Sequence, residues 1–152
     1  MVRVMASGVF DLLHTGHLHY LMEAKKLGDE LVVVVARDST VRREKHEPIT
    51  PESVRRELVD ALKPVDKAVL GGEGDMFEIV EELKPDLIAL GYDQEHDEEA
   101  IRAELKKRGL DVDVVRLSKL GTDLDGTRKI IEKVVSWWKI KAELEAVEGR
   151  KK

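Results

Sequence analysis

The amino-acid sequence predicts an α/β fold, Rossmann-like and three-layered, around a five-stranded parallel sheet. Three observations carry this. Apolar runs alternate with stretches of helical period from one end of the chain to the other. One run, Leu31 to Ala36, holds four consecutive valines, the composition of a strand covered on both faces. Strand–helix alternation of this kind implies parallel strands joined by right-handed crossovers. A chain of 152 residues is one domain long.

The first strand is expected over Val2 to Ser7. A helix over Thr15 to Leu27 follows, ending in Lys25 and Lys26 with Gly28 as a C-terminal stop. After the valine strand comes a helix over Pro51 to Leu62. Thr50 reads as its cap and Pro51 as its first residue, ahead of the stripe Val54, Leu58, Val59 and Leu62. Lys63-Pro64 breaks the chain before a strand at Lys67 to Leu70, and Lys84-Pro85 does so before one at Leu87 to Leu90. A helix at Met76 to Leu83 lies between them. A helix over Glu98 to Arg108, closed by Gly109, leads to a last strand at Val112 to Leu117. The final helix spans Thr127 to Val147. From Lys139 onward it is a charged extension that frays into Gly149-Arg150-Lys151-Lys152. Trp137 and Trp138 are adjacent on it and cannot share a face, so one packs and the other meets a ring or a partner chain.

Composition narrows the function. Acids (31) outnumber bases (26), a net charge of -5, which argues against a polynucleotide-binding surface. Cysteine is absent, excluding disulfides, zinc–cysteine sites and cysteine nucleophiles. No apolar run reaches the ~18 residues of a membrane span, and Met5 to Leu13 contains Asp11 and lacks a basic leader. A cytoplasmic protein with neither nucleic-acid nor membrane partner is expected.

In an open α/β sheet, ligands bind at the carboxyl ends of the strands. The loop after the first strand reads Ser7-Gly8-Val9-Phe10-Asp11-Leu12-Leu13-His14-Thr15-Gly16-His17. It is neither a phosphate-binding GxxxxGK[ST] loop nor a dinucleotide glycine fingerprint, and Gly71-Gly72-Glu73-Gly74 lacks the spacing of either. A spacing of three puts His14 and His17 on one side of a first helical turn, where open N–H groups and the helix dipole attract anions. Gly16 removes a side chain where a phosphate would approach. Two imidazoles and free amides suit a phosphate gaining charge in a transition state. Zinc bound by His14 and His17 would lack a third ligand.

These residues carry a resemblance. GVFDLLHTGH is similar to the GTFDxxHxGH motif of the HxGH nucleotidyltransferase superfamily, with Val9 where the threonine usually stands. GDELVVVVARDSTV, RRELVDALKPVDKAVLG and KPDLIALGYDQ resemble small archaeal FAD synthases over roughly Val2 to Val134. They are also similar, at a lower level, to glycerol-phosphate and ethanolamine-phosphate cytidylyltransferases. The resemblance implies a nucleotidyltransferase domain at 1–135 with 136–152 as its helical extension. It implies AMP transfer from ATP to FMN, giving FAD and pyrophosphate, by a homodimer using a divalent metal, Mg²⁺. The open alternatives are a cytidylyltransferase acting on glycerol 3-phosphate or another phosphorylated alcohol, and a non-catalytic nucleotide-binding module.

The resemblance also distributes roles. His14, His17, Lys45 and Arg55 would be catalytic. Gly8, Val9, Phe10, Asp11, Gly16, Gly91, Tyr92, Asp93, Thr127 and Arg128 would join the two histidines in binding nucleotide. Asp11 would partly hold the metal through the phosphates. Lys45 would be a mobile-loop phosphate ligand and Arg55 a helix residue reaching the phosphates, with Arg42 and Arg43 as helpers. They sit in Arg37 to Arg56, where six bases and four acids give a local +2. Thr127 matches a signature hydroxyl at the start of the last helix, while Asp125 and Gly126 depart from that signature. Asp125 reads equally as a helix cap. Gly91 would permit close approach, Asp93 or backbone groups would read the nucleotide, and Tyr92 either stacks or packs. The acids from Asp93 to Glu99 read as a solvated helix start.

Overall fold

The structure is a computed structural model and describes residues 1–92, 94, 96–118 and 126–151. Five strands, β1 (Arg3–Gly8), β2 (Glu30–Val35), β3 (Lys67–Leu70), β4 (Leu87–Leu90) and β5 (Asp113–Arg116), form one sheet in the order β3-β2-β1-β4-β5. Every pairing is parallel. The helices are α1 (Thr15–Lys25), α2 (Asp38–Glu44), α3 (Glu52–Asp60), α4 (Met76–Leu83), α5 (Glu98–Lys107) and α6 (Thr127–Lys151). The predicted three-layer fold is therefore the observed one.

The valine run works as its composition requires. Leu31, Val33 and Val35 pack with Val4, Ala6, Leu21, Ala24 and Val59 on the α1–α3 side. Val34 joins Met5, Val80, Ile88, Ile101 and Leu105 on the α4–α5 side. At the amino edge, Asp29, Asp66 and Asp86 accept the backbone N–H of Val2, Leu31 and Arg3, closing donors the sheet leaves open. Among the described residues, no helix is long and apolar enough to cross a membrane.

Four details differ from the sequence reading. Helix α2 was not anticipated, because Val41 is its only buried side chain and it has no apolar period. The cap of α3 is Pro51, not Thr50, whose hydroxyl is drawn to Asp11 instead. Trp137 and Trp138 are 60 % and 62 % exposed, so neither packs. Helix α6 runs through Gly149 to Lys151 without stopping at the glycine.

Gly109 does close α5, with a φ of 72° that favours glycine. Gly28 acts differently from a helix stop: a Cβ there would lie 2.7 Å from the Val2 carbonyl oxygen and 2.8 Å from Val4. Backbone occupies the space and cannot move cheaply. Gly28→Ala is therefore expected to cost ~1–3 kcal/mol of unfolding free energy in a denaturant titration, and Gly109→Ala ~1 kcal/mol through its left-handed φ.

Candidate active site

The strand order reverses direction between β1 and β4, and the crevice of such a sheet opens above their carboxyl ends. The loop leaving β1 lies there. Gly8 is followed by two residues in the left-handed region, Phe10 (φ 55°) and Leu12 (φ 54°). Each costs of order 1–2 kcal/mol, so surrounding contacts must hold the loop in place. The Phe10 ring supplies one such contact, buried to 2 % exposure and so close to Gly8 that a Cβ there would lie 3.0 Å from it.

Asp11 supplies the main one. Its carboxylate is 4 % exposed and accepts hydrogen bonds from the N–H of Ile49 (2.7 Å), the N–H of Thr50 (3.0 Å) and the Thr50 hydroxyl (2.7 Å). Burial alone would raise its pKa. The Ile49 and Thr50 hydrogen bonds and the Arg55 charge outweigh burial and hold it below the usual value. The Asp11 carbonyl accepts the Thr127 hydroxyl at 2.9 Å, fastening the start of α6 to the same loop.

His14 caps α1. Its Nδ1 accepts the Gly16 N–H at 3.1 Å, and His17 Nδ1 accepts the His14 N–H at 3.3 Å, a reciprocal capping box. The open N–H groups expected at this turn are thus partly engaged by the histidines themselves. The rings stack, centroids 3.8 Å apart. An Nδ1 that accepts carries no proton, so the hydrogen-bond pattern places the proton of each neutral ring on Nε2. Burial, then the charges of His14 and Lys45, lower the His17 pKa to about 3 against an opposing contribution from Asp11. His17 is therefore a neutral N–H donor across the neutral range.

Two cavities meet over this loop. The first, about 350 Å³, is bordered by Gly8, Val9, Phe10, Asp11, His14, Gly16, His17, Gly91, Tyr92, Thr127 and Arg128, which are predicted site residues. The second, about 770 Å³, opens toward β2, β3 and α4 and is lined by Met5, Val34, Gly71, Gly72, Met76 and Ile79. Ser7, Gly8, Val9, Lys45 and Gln94 border both. Among the described residues, the Lys45 ammonium has no ion-pair partner.

Arg55 is not brought to either cavity. Its side chain is fully buried and donates to the carbonyls of Thr50, Val9 and Ala36 and to the Asp38 carboxylate at 2.6 Å. The structure makes it a brace beneath the site rather than a phosphate ligand. Arg42 pairs with Glu47 and Arg43 with Glu44, Arg43 bordering the second cavity. Arg128 borders the first cavity and pairs with Glu132 at 3.2 Å. Asp11 does not fit a metal ligand, since both carboxylate oxygens already accept protein donors. Among the described residues, no group of three or more His, Asp or Glu could hold a metal. Asp93 and Asp125 lie outside the described residues.

Three residues missed in the sequence position the site. The Tyr20 hydroxyl accepts the Ser7 N–H and donates to the Ala89 carbonyl, pinning α1 across β1 and β4. Gln94 accepts the Gly91 N–H and donates to the Ser7 carbonyl. Arg116 donates to the carbonyls of Gly91, Gln94 and His96 and pairs with Glu98, holding the loop after β4. A lone arginine at the end of an apolar strand was the available signal for Arg116.

A family model described as cytidylyltransferase-like matches residues 5–145. An FAD synthase of Aciduliprofundum boonei is 64 % identical over 136 residues, covering 89 % of this chain and 91 % of that protein. An FAD synthase of Thermoplasma volcanium is 53 % identical over 135 residues, covering 89 % and 95 %. A crystal structure from Thermoplasma volcanium, described as a lipopolysaccharide core biosynthesis protein, is 58 % identical with a TM-score of 0.78, covering 79 % of this chain and 98 % of that one.

The depressed His17 pKa makes a prediction. Between pH 6.5 and about 3 the unfolded chain binds a proton at His17 that the native chain does not. Stability from this group is complete above pH 6.5 and falls as pH drops through that window. Asp11 adds a loss only below its unfolded value of 3.8. Unfolding free energy of the native protein should fall more steeply from pH 6 to 4 than that of His17→Gln, by up to one proton's slope of ~1.4 kcal/mol per pH unit. Parallel curves would refute the buried neutral imidazole.

Proposed function

The chain belongs to the cytidylyltransferase-like family, and on that premise we propose that it is an FAD synthase, transferring AMP from ATP to FMN with release of pyrophosphate. The observation that carries this is the 64 % identity to the Aciduliprofundum boonei FAD synthase over 91 % of that protein. The geometry supports the same reading. Two cavities within or near the ~300–1,000 Å³ range of ligand sites share one edge, as two substrates that must touch would need.

The first cavity takes ATP. His14, His17 and the start of α6 surround the phosphates there, and the loop at Gly91 and Tyr92 lies toward the nucleoside. The second cavity takes FMN, its isoalloxazine lying against Met5, Val34, Met76 and Ile79. Lys45, bordering both, places its charge where the two phosphate groups meet.

Transfer is an in-line displacement. A phosphate oxygen of FMN attacks the α-phosphorus of ATP, a new P–O bond forms, and the bond from the α-phosphorus to the bridging oxygen breaks. Pyrophosphate leaves with that electron pair. A phosphate monoester has its second pKa near ~6, so the attacking oxygen is already ionised at neutral pH and no general base is required. Neutral His17 suits this: it offers an Nε2–H to charge growing on the α-phosphoryl oxygens, and His14, whose Nδ1 is taken by the Gly16 N–H, offers its own Nε2–H beside it. Positioning and electrostatics supply the acceleration, as in other phosphoryl transfers. Because Asp11 is engaged, Mg²⁺ would arrive on the triphosphate rather than on a protein carboxylate.

Incubation of the purified protein with FMN and ATP should yield FAD and pyrophosphate. CDP-glycerol formed instead from CTP and glycerol 3-phosphate would replace this reading with the cytidylyltransferase one, and no pyrophosphate from any pair would leave a binding module. His17→Ala should cut kcat by roughly 10²-fold or more with the fold retained by circular dichroism. Gly72→Leu, at a position where a Cβ meets no atom within 4 Å, should raise KM for FMN on the order of 10-fold while leaving KM for ATP nearly unchanged.

A further inference from the structure

A side chain fills one rung of the sheet at the site. β1 and β4 pair in register from Val4–Leu87 to Ala6–Ala89. One rung further, a parallel ladder would join the Ser7 carbonyl to the Gly91 N–H. Gln94 stands in that rung instead. Its Oε1 accepts the Gly91 N–H at 2.7 Å, and its Nε2 donates to the Ser7 carbonyl at 2.8 Å. The amide is a wedge, and the two strands part over it into the crevice between their carboxyl ends.

The wedge has one orientation. A flipped amide would set oxygen against the Ser7 carbonyl and N–H against the Gly91 N–H, so the partners decide which atom is which. Arg116 fastens the same residue by its backbone, donating to the Gln94 carbonyl at 2.9 Å. A primary amide carries two N–H donors. Ser7 engages one; the other has no partner among the described residues. Ser7 and Gln94 both border the first and the second cavity, and so does Lys45. The second donor, on a nitrogen tethered to Ser7, therefore lies at the edge the two cavities share.

The reaction assigned above, on which this inference rests, brings the α-phosphorus of ATP to that edge to meet the FMN oxygen. As the new P–O bond forms and the bridging one breaks, negative charge is spread over the non-bridging oxygens of the transferring group. A neutral donor fixed at both ends needs no reorganisation to meet that charge. We propose that Gln94 is a catalytic residue whose second N–H donates to a non-bridging oxygen of the α-phosphoryl group during transfer.

Turnover of the two diastereomers of ATPαS tests this. Sulfur replaces one or the other non-bridging α-oxygen and accepts a hydrogen bond more weakly. The wild-type protein should favour one diastereomer. Gln94→Met removes every amide contact, whereas Gln94→Glu keeps an acceptor for the Gly91 N–H and loses only the donors. Both should lower kcat with ATP by roughly 10²-fold, the scale of one lost transition-state donor. Both should leave KM for ATP within about 3-fold of wild type, since the contact strengthens only in the transition state. The ratio of kcat for the two diastereomers should shift on the order of 10-fold toward unity, because sulfur at the contacted position no longer weakens a bond. Circular dichroism should show the variants folded. An unchanged kcat, a raised KM for ATP with kcat retained, or a lowered kcat with an unchanged diastereomer ratio would overturn the proposal, the last leaving Gln94 a wedge alone. If the protein joins CTP to glycerol 3-phosphate instead of making FAD, the FAD synthase reading fails, and CTPαS puts the same question to Gln94 with the same outcomes deciding it. Pyrophosphate from no substrate pair would sink both.

Discussion

The site depends on Thr50 being held from both sides. Asp11 takes its N–H and hydroxyl, and the buried Arg55 guanidinium takes its carbonyl. Arg55 also takes the carbonyls of Val9 and Ala36, so one cation ties the loop after β1, the end of β2 and the lead into α3. A buried guanidinium without partners would cost several kcal/mol, and here three carbonyls and Asp38 satisfy it. This lattice is what keeps Phe10 and Leu12 in their left-handed conformations. The strained loop presents the histidines, and the bracing lies beneath it, away from the chemistry.

The same arrangement explains how a chain of net charge -5 can receive two phosphorylated ligands. Four of the six bases of Arg37 to Arg56 are paired locally: Arg37 with Glu52, Arg42 with Glu47, Arg43 with Glu44, and Arg55 with Asp38. Lys45 stands apart from these pairs, between the two cavities. Its ammonium has no ion-pair partner among the described residues, so its charge is open to both cavities. The histidines act differently. His17, held neutral by burial and by the charges of His14 and Lys45, gives direction rather than net charge, which avoids stabilising the triphosphate ground state as strongly as its transition state.

What the sequence disclosed and what it hid follow from where information resides. The strands were legible because a parallel sheet covered on both faces needs unbroken apolar runs, and the loop was legible because glycine, phenylalanine, aspartate and two histidines recur in one register. Helix α2 was hidden since only Val41 faces inward. Arg55 was misread because the letter for arginine records a charge, not the direction in which the side chain points. Its direction is set by three carbonyls from distant segments. Asp11 suffered the same ambiguity: a carboxylate in a phosphate-binding loop suggests a metal, yet its partners Ile49 and Thr50 lie nearly forty residues away. Tyr20 lies inside the first helix, where spacing alone says nothing of a hydroxyl that the fold sets between β1 and β4.

Coupling between the parts runs through Asp11. Its side chain holds Ile49 and Thr50, a few residues beyond Lys45, and its carbonyl holds Thr127 at the head of α6. Shifting Asp11 would strain the left-handed residues on either side of it. Its three accepted hydrogen bonds and the Thr127 hydroxyl therefore hold the loop, its two histidines and the head of α6 in a single arrangement.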